Sequence, residues 1–232
     1  MKIGELSSHD EYVEAWWDGS RYFLCMLENQ VRARLAYFNR VITNWEELNI
    51  LDIGCGGGFM SEALASRGAC VIGLDPWETV LSVAHKHAKT YQMDICYVAG
   101  AGESLPLDDD SMDIVVSVDV LEHVLDVPRV LAEIYRVLRP GGIFFFDTIN
   151  RTHAAHLLVV IMLEDVLRIM PKGMHDPNRF LRPSELKTEL NSLGFRVAPM
   201  IGMGPVRINR RFVPVFGLQS STAIMYIGHA MK

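Results

Sequence analysis

The stretch Leu51-Asp52-Ile53-Gly54-Cys55-Gly56-Gly57-Gly58 constrains this chain more than any other. Apolar residues around one acid, followed by glycines at alternate positions, read as a buried strand that breaks into a tight loop. A helical pattern follows over residues 59–67. A second apolar run, residues 69–74, then ends on Asp75. A glycine loop lets a backbone come close to a ligand, because no Cβ intervenes and positive φ costs little. It feeds a helix N-terminus, which favours negative groups. An acid at the tip of the next strand suits a ribose diol.

The pattern of strand, loop and helix continues along the chain. Strands are expected at 49–53, 69–74, 94–98, 113–118 and 141–148, with helices over 79–90 and 127–138 between them. Such alternation implies a doubly wound α/β sheet with helices on both faces. Ligands of these sheets bind beyond the carboxyl ends of the strands, where the strand order reverses. Residues 1–48 read as a helical cap, with Val31, Leu35, Phe38 and Ile42 spaced as an amphipathic helix requires. Residues 184–193 form a further helix, and 195–198 and 223–229 two more strands. One domain therefore spans 1–232: the cap, a cofactor-binding half (49–150), an insertion (151–183) and a segment that completes the sheet (184–232).

Composition narrows the function. The net charge of −6 and the lack of a basic tract disfavour nucleic acid as a partner. The four cysteines, Cys25, Cys55, Cys70 and Cys96, have no C-x-x-C spacing, which speaks against structural zinc and suits a reducing compartment. No signal-peptide core is visible at the polar N-terminus. A cytoplasmic protein is the expectation.

The glycine loop is compatible with two adenosine-bearing cofactors. A dinucleotide loop needs G-x-G-x-x-G, and counting from Gly54 the third glycine falls on Phe59. The pattern acid-x-G-x-G-x-G is met by Asp52, Gly54, Gly56 and Gly58. It resembles the first motif of the class I S-adenosylmethionine methyltransferases. The resemblance implies a mostly parallel, seven-stranded, Rossmann-like sheet with an antiparallel last strand. It also implies that the loop holds the methionine part and Asp75 the ribose hydroxyls. Ala101 and Glu103, in the loop after strand three, match the family's adenine loop. Trp77 either packs on the adenine or is an ordinary surface or core aromatic.

Strand four ends in Asp119-Val120-Leu121-Glu122-His123. If these residues begin a helical turn, Asp119 and Glu122 share a face. In many methyltransferases a similar L-E-H run organises the cofactor loop without a metal. The extra acid Asp119 makes the run similar to that of the ubiquinone-biosynthesis O-methyltransferases, where an acid-x-x-Glu-His run is associated with a divalent metal. Asp119 is thus a candidate for the cofactor site, and Asp119, Glu122 and His123 are a candidate ligand set, with Mg²⁺ the natural ion. The chemistry needs such help. A phenol ionises near pH 10, as Tyr does, so a base or a metal must generate the nucleophilic oxygen. His123 is a candidate for either task.

The same family is matched by Trp16-Trp17-Asp18, by Asn150-Arg151, by the apolar stretch 154–170, by the turn 171–176 and by Phe180-x-x-Pro183-x-Glu185-Leu186. In that family the insertion covers the active site and is implicated in membrane contact. Here it is either a lid over the core or an element that meets a bilayer from the outside. His175 either faces the substrate oxygen or stabilises the turn; His153 and His156 are weaker candidates. The segment 202–212 departs from the family. The resemblance implies S-adenosylmethionine-dependent methylation of a phenolic hydroxyl, on a polyprenylated dihydroxybenzene of ubiquinone biosynthesis. The alternatives are methylation of a soluble phenol, a non-catalytic cofactor-binding protein and, more distantly, a dehydrogenase.

Overall fold

The computed structural model describes Trp17 and residues 22–170, 172–210 and 213–232. Trp16, Asp18, Pro171, Arg211 and Phe212 lie outside the described residues. In chain order the elements are α1 (Tyr22–Phe38), β1 (Asn49–Ile53), α2 (Phe59–Ala65), β2 (Cys70–Asp75), α3 (Glu78–Thr90), β3 (Ile95–Ala99), β4 (Met112–Val118), α4 (Val127–Val137) and β5 (Leu138–Ile149). The short α5 (His153–Ala155) runs into a π-helical stretch (His156–Val166), followed by a 3₁₀ turn (Pro177–Arg179) and α6 (Pro183–Ser192). The chain closes with β6 (Arg196–Val197), β7 (Ile201–Ile208), β8 (Pro214–Gln219) and β9 (Met225–Met231).

The strands form one sheet of order β3-β2-β1-β4-β5-β9-β7-β8, with β6 paired to β9 off this path. The pairings among β1 to β5 are parallel, and β9 runs antiparallel to β5. The order reverses between β1 and β4, so the loops after these strands meet above the switch point.

The sheet has nine strands, two more than expected. The extra pair is the β7–β8 hairpin. Its first strand reads Gly202-Met203-Gly204-Pro205, which interrupts the apolar alternation that marks a strand. A proline is tolerated there because the register shifts between Pro205 and Arg207 and a bulge releases the ladder hydrogen bond.

Period-two alternation sorts the core onto two faces. Phe144 and Phe146 pack on one side with Leu51, Val115, Leu131 and Tyr226. Phe145 packs on the other with Phe38, Ile50, Met203 and Val159. The three phenylalanines are fully buried, each worth roughly 1.5–3 kcal/mol in transfer. Asp147 shares the face of Phe145, which directs it towards α1. No helix among the described residues is long and apolar enough to cross a membrane.

Candidate active site

The loop after β1 is shaped by its own backbone. Gly54 N–H and Cys55 N–H both donate to the Leu74 carbonyl, at 2.7 and 3.1 Å. Gly54 has φ 68° and Gly58 φ 91°. A Cβ on Gly54 would stand 2.3 Å from Val120 Cγ2, and one on Gly58 2.4 Å from the Tyr97 hydroxyl. Conformation and close packing therefore both demand glycine at these two positions. Asp75, at the end of β2, accepts from Gly56 N–H at Oδ2 and from Trp77 N–H at Oδ1, each at 3.0 Å. A carboxylate has about four lone-pair sites, so both oxygens keep capacity for a ligand. Burial raises the Asp75 pKa. Asp52 accepts from Ser61 Oγ at 2.6 Å, while its Oδ1 is buried without a partner. Burial, partly offset by the Ser61 hydrogen bond, pushes its pKa up to about 7. The adenine-loop candidates start beside Asp75, where Gly100 N–H donates to the Asp75 carbonyl at 3.1 Å. Ala101 is exposed. The Glu103 carboxylate accepts from Leu125 N–H at 3.2 Å. Trp77 is half-buried.

Asp119 lies elsewhere than the sequence suggested. It leaves β4 with φ 54°, so residues 119–123 do not begin a helix and Asp119 does not share a helical face with Glu122. Its carboxylate is taken by Arg34 of α1. Arg34 is almost wholly buried. It also donates through Nε to Asp147 Oδ2 at 2.6 Å and through Nη2 to Gln30 Oε1 at 2.8 Å. Asp119 N–H completes the network by donating to Asp147 Oδ1 at 2.9 Å. A buried guanidinium needs such anionic partners, and Asp119 is one of them. No sequence motif marks Arg34 as part of the site. Its signal was a pair of polar residues, Gln30 and Arg34, beside the apolar stripe Val31, Leu35, Phe38.

Glu122 and His123 instead meet His175. One donor atom from each lies within 4.8 Å of the others. Glu122 is 2% exposed. Its Oε2 accepts from Thr148 Oγ1 at 2.7 Å, and Oε1 has no partner. Burial and the Asp119 charge raise its pKa. Burial, and then His175, hold the His123 imidazole down to about 4, so it is neutral at physiological pH. His175 is fixed by a second acid that the sequence reading passed over. Glu164, 1% exposed, accepts from His175 Nδ1 at 2.7 Å and from His175 N–H at 3.1 Å. Its other oxygen accepts from Gly173 N–H at 2.9 Å. A carboxylate on Nδ1 places the proton there and leaves Nε2 free. The clue to Glu164 was an acid inside an apolar stretch, which must find partners if buried. His153 and His156 are exposed and stand outside this group. The run from 119 also joins the two halves of the site, since Val120 is the side chain that limits Gly54.

Known proteins resemble this chain in sequence and fold. The family described as "Methyltransferase domain" matches residues 51–146. A solved SAM-dependent methyltransferase of Thermotoga maritima, described as a possible histamine N-methyltransferase, superposes with TM-score 0.66. It is 18% identical and covers 96% of this chain and 97% of that one. An Aquifex aeolicus SAM-dependent methyltransferase gives 0.62 at 16% identity over 85% and 88%. At these identities the likeness speaks to the fold alone. Sheet order and domain match together define a methyltransferase. Two relatives are more specific. The ubiquinone biosynthesis O-methyltransferase of Coxiella burnetii is 38% identical over 200 residues, 86% of this chain and 84% of that protein. That of Saccharophagus degradans is 34% identical over 98% and 95%. The chain belongs to the ubiquinone biosynthesis O-methyltransferase family.

Proposed function

We propose that this enzyme transfers the methyl group of S-adenosylmethionine to a phenolic hydroxyl of a polyprenylated dihydroxybenzene, the acceptor class implied by the names of its relatives. The observation that carries the reading is the convergence of Glu122, His123 and His175 beside the glycine loop. The cofactor arrives with an activated methyl on its sulfonium. The protein has to align an oxygen and remove its proton. His175 is suited to take that proton at Nε2, while Glu164 holds the ring and stabilises the imidazolium that forms. His123, neutral beside it, serves as a hydrogen-bonding partner.

In the cofactor half, Asp75 would accept both ribose hydroxyls with its spare lone pairs. The orphaned Oδ1 of Asp52 is an acceptor suited to the methionine ammonium, and the Gly54–Gly58 backbone cradles the same end. Ala101 and the backbone around Glu103 would border the adenine, with the Glu103 carboxylate already committed to Leu125.

A second reading is favoured by the donor set. Glu122, His123 and His175 could hold a divalent cation, and the partnerless Glu122 Oε1 fits a ligand role. Two imidazoles and one carboxylate suit zinc or another transition ion better than Mg²⁺, which prefers oxygen and water. Such an ion would supply Lewis acidity that lowers the phenol pKa. Dialysis against chelator separates the readings. Full activity and no metal by elemental analysis leave His175 as the base; loss restored by Zn²⁺ or Mn²⁺, with stoichiometric metal in the protein, supports the cation.

The insertion (151–183) is proposed as a lid that also meets the membrane. Ala155, Val159 and Glu164 face inwards, whereas Leu157, Ile161, Val166 and Leu167 are exposed. Basic attraction is weak, because Arg151 is paired with Glu185 and Lys172 with Asp165. The apolar face would therefore dominate binding, and a prenyl tail would reach the site from the bilayer.

A further inference from the structure

We propose that Trp17 is a positioning residue for the cofactor, holding the glycine loop in the shape that receives S-adenosylmethionine. The proposal rests on the cofactor assignment above and assigns a role to a side chain outside the cluster and the carboxylates described so far.

The loop from Gly54 to Gly58 contains four glycines in five residues, and Gly54, Gly56 and Gly58 all take positive φ. Glycine loses more freedom on ordering than any other residue. A ligand that had to order this loop would lose affinity in doing so. Preorganisation of the first part is visible in the bonds to Leu74 and Asp75. The next residue, Gly57, is held by Trp17, whose Nε1–H donates to the Gly57 carbonyl at 2.8 Å across 40 positions of sequence.

The indole is itself fixed. It stacks on His87 with centroids 3.6 Å apart and planes 5° apart. It leans on Phe59 at 4.1 Å and 52°. His87 Nδ1 in turn lies 2.7 and 2.9 Å from the two carboxylate oxygens of Glu62. Phe59 and Glu62 belong to α2, which springs from the loop, and His87 to α3, which follows Asp75. Trp17 therefore ties the loop to the two helices that flank the ribose acid. Phe59 occupies the place where a dinucleotide loop carries its third glycine. A glycine there would leave the indole without this support. Packing alone would not require an indole, whose N–H is a donor only; here that donor is spent on a cofactor-loop carbonyl.

The test is calorimetric titration of S-adenosylhomocysteine into wild type, Trp17→Phe and Trp17→Ala, with KM values for S-adenosylmethionine and for the phenolic acceptor measured separately. Trp17→Phe keeps a stacking ring and removes the donor. Its S-adenosylhomocysteine Kd and S-adenosylmethionine KM should rise about two- to tenfold, the net worth of one hydrogen bond, with acceptor KM unchanged. Trp17→Ala should lose more. If Trp17→Phe, with a wild-type circular dichroism spectrum, binds S-adenosylhomocysteine as wild type does, the proposal is overturned. It is also overturned if acceptor KM moves instead of cofactor KM. Trp17→Phe decides the matter even if Trp17→Ala fails to fold. Failure of the wild type itself to bind S-adenosylhomocysteine would strike at the cofactor assignment, not at Trp17.

Discussion

The glycine loop and the Glu122–His123–His175 cluster adjoin through Val120, yet they are held by different means. The loop is fixed by main-chain bonds within and between β1 and β2, so its residues are consecutive and its partner Asp75 lies one helix away. The cluster is assembled from side chains of two distant segments, Glu122-His123 and the insertion that carries His175, and its organiser Glu164 sits in that same insertion. A backbone site tolerates few changes of residue type but many changes of surroundings. A side-chain site depends on each supporting contact, and here those contacts come from the segment that would also admit the acceptor. On the proposed function, the difference would separate what the fold needs in order to bind a cofactor from what selects a substrate.

Mutations should divide along the same line. The largest effect is expected from Asp75→Ala, which would remove the two charge-assisted hydrogen bonds proposed to hold the ribose. KM for S-adenosylmethionine should rise about 100-fold or more, and the melting temperature should fall by a few degrees, because Gly56 N–H and Trp77 N–H lose their acceptor. Glu164→Gln should leave S-adenosylhomocysteine affinity intact and lower kcat about 10- to 100-fold, the usual cost of losing the partner of a functional histidine. A loss of cofactor binding in Glu164→Gln would erase the distinction between the two regions.

A smaller effect concerns Asp52. Its carboxyl has a higher pKa folded, about 7, than unfolded. The native state therefore keeps a proton that the unfolded chain has lost, and stability falls as pH rises from about 4 towards 7. Asp52→Asn mimics the protonated acid. Its melting temperature should match wild type only below about pH 4, where both states of the wild type are protonated, and exceed it by several degrees at pH 8, given roughly 1.4 kcal/mol per pKa unit and 2–4 °C per kcal/mol. A constant difference across that range would show that burial does not govern Asp52. The smallest effect on turnover is expected from Leu157→Asp. Activity towards an untailed catechol should be unchanged, whereas recovery of the protein with floated liposomes should drop. Unchanged flotation would confine the insertion to a lid role.

These contrasts also explain what could be read from the chain. The strand, turn and helix around Asp52, the glycines and Asp75 were legible because their signals are local, and the turn itself forces the residue type. The pairing of Asp119 with Arg34 was not legible, because the backbone turns at positive φ where a helical turn was possible, and because Arg34 arrives from 85 residues away. Glu164 was hidden by its apolar neighbours, and the π-helical path of 156–166 does not follow the 3.6-residue period on which sequence patterns rest. The β7–β8 hairpin was hidden by its glycines and proline. Pairing with β9 and burial of Met203 and Phe216 stabilise it in spite of them.

On the proposed function, a cofactor site built largely from backbone serves an acceptor site built for a prenylated phenol. The most direct test is a methyl-transfer assay with S-adenosylmethionine labelled in the methyl group, supplied with catechols that differ only in a prenyl tail and presented in liposomes. The expected result is label on a phenolic oxygen, with kcat/KM higher for the tailed acceptor. Label on no catechol, from protein that binds S-adenosylhomocysteine, would contradict it.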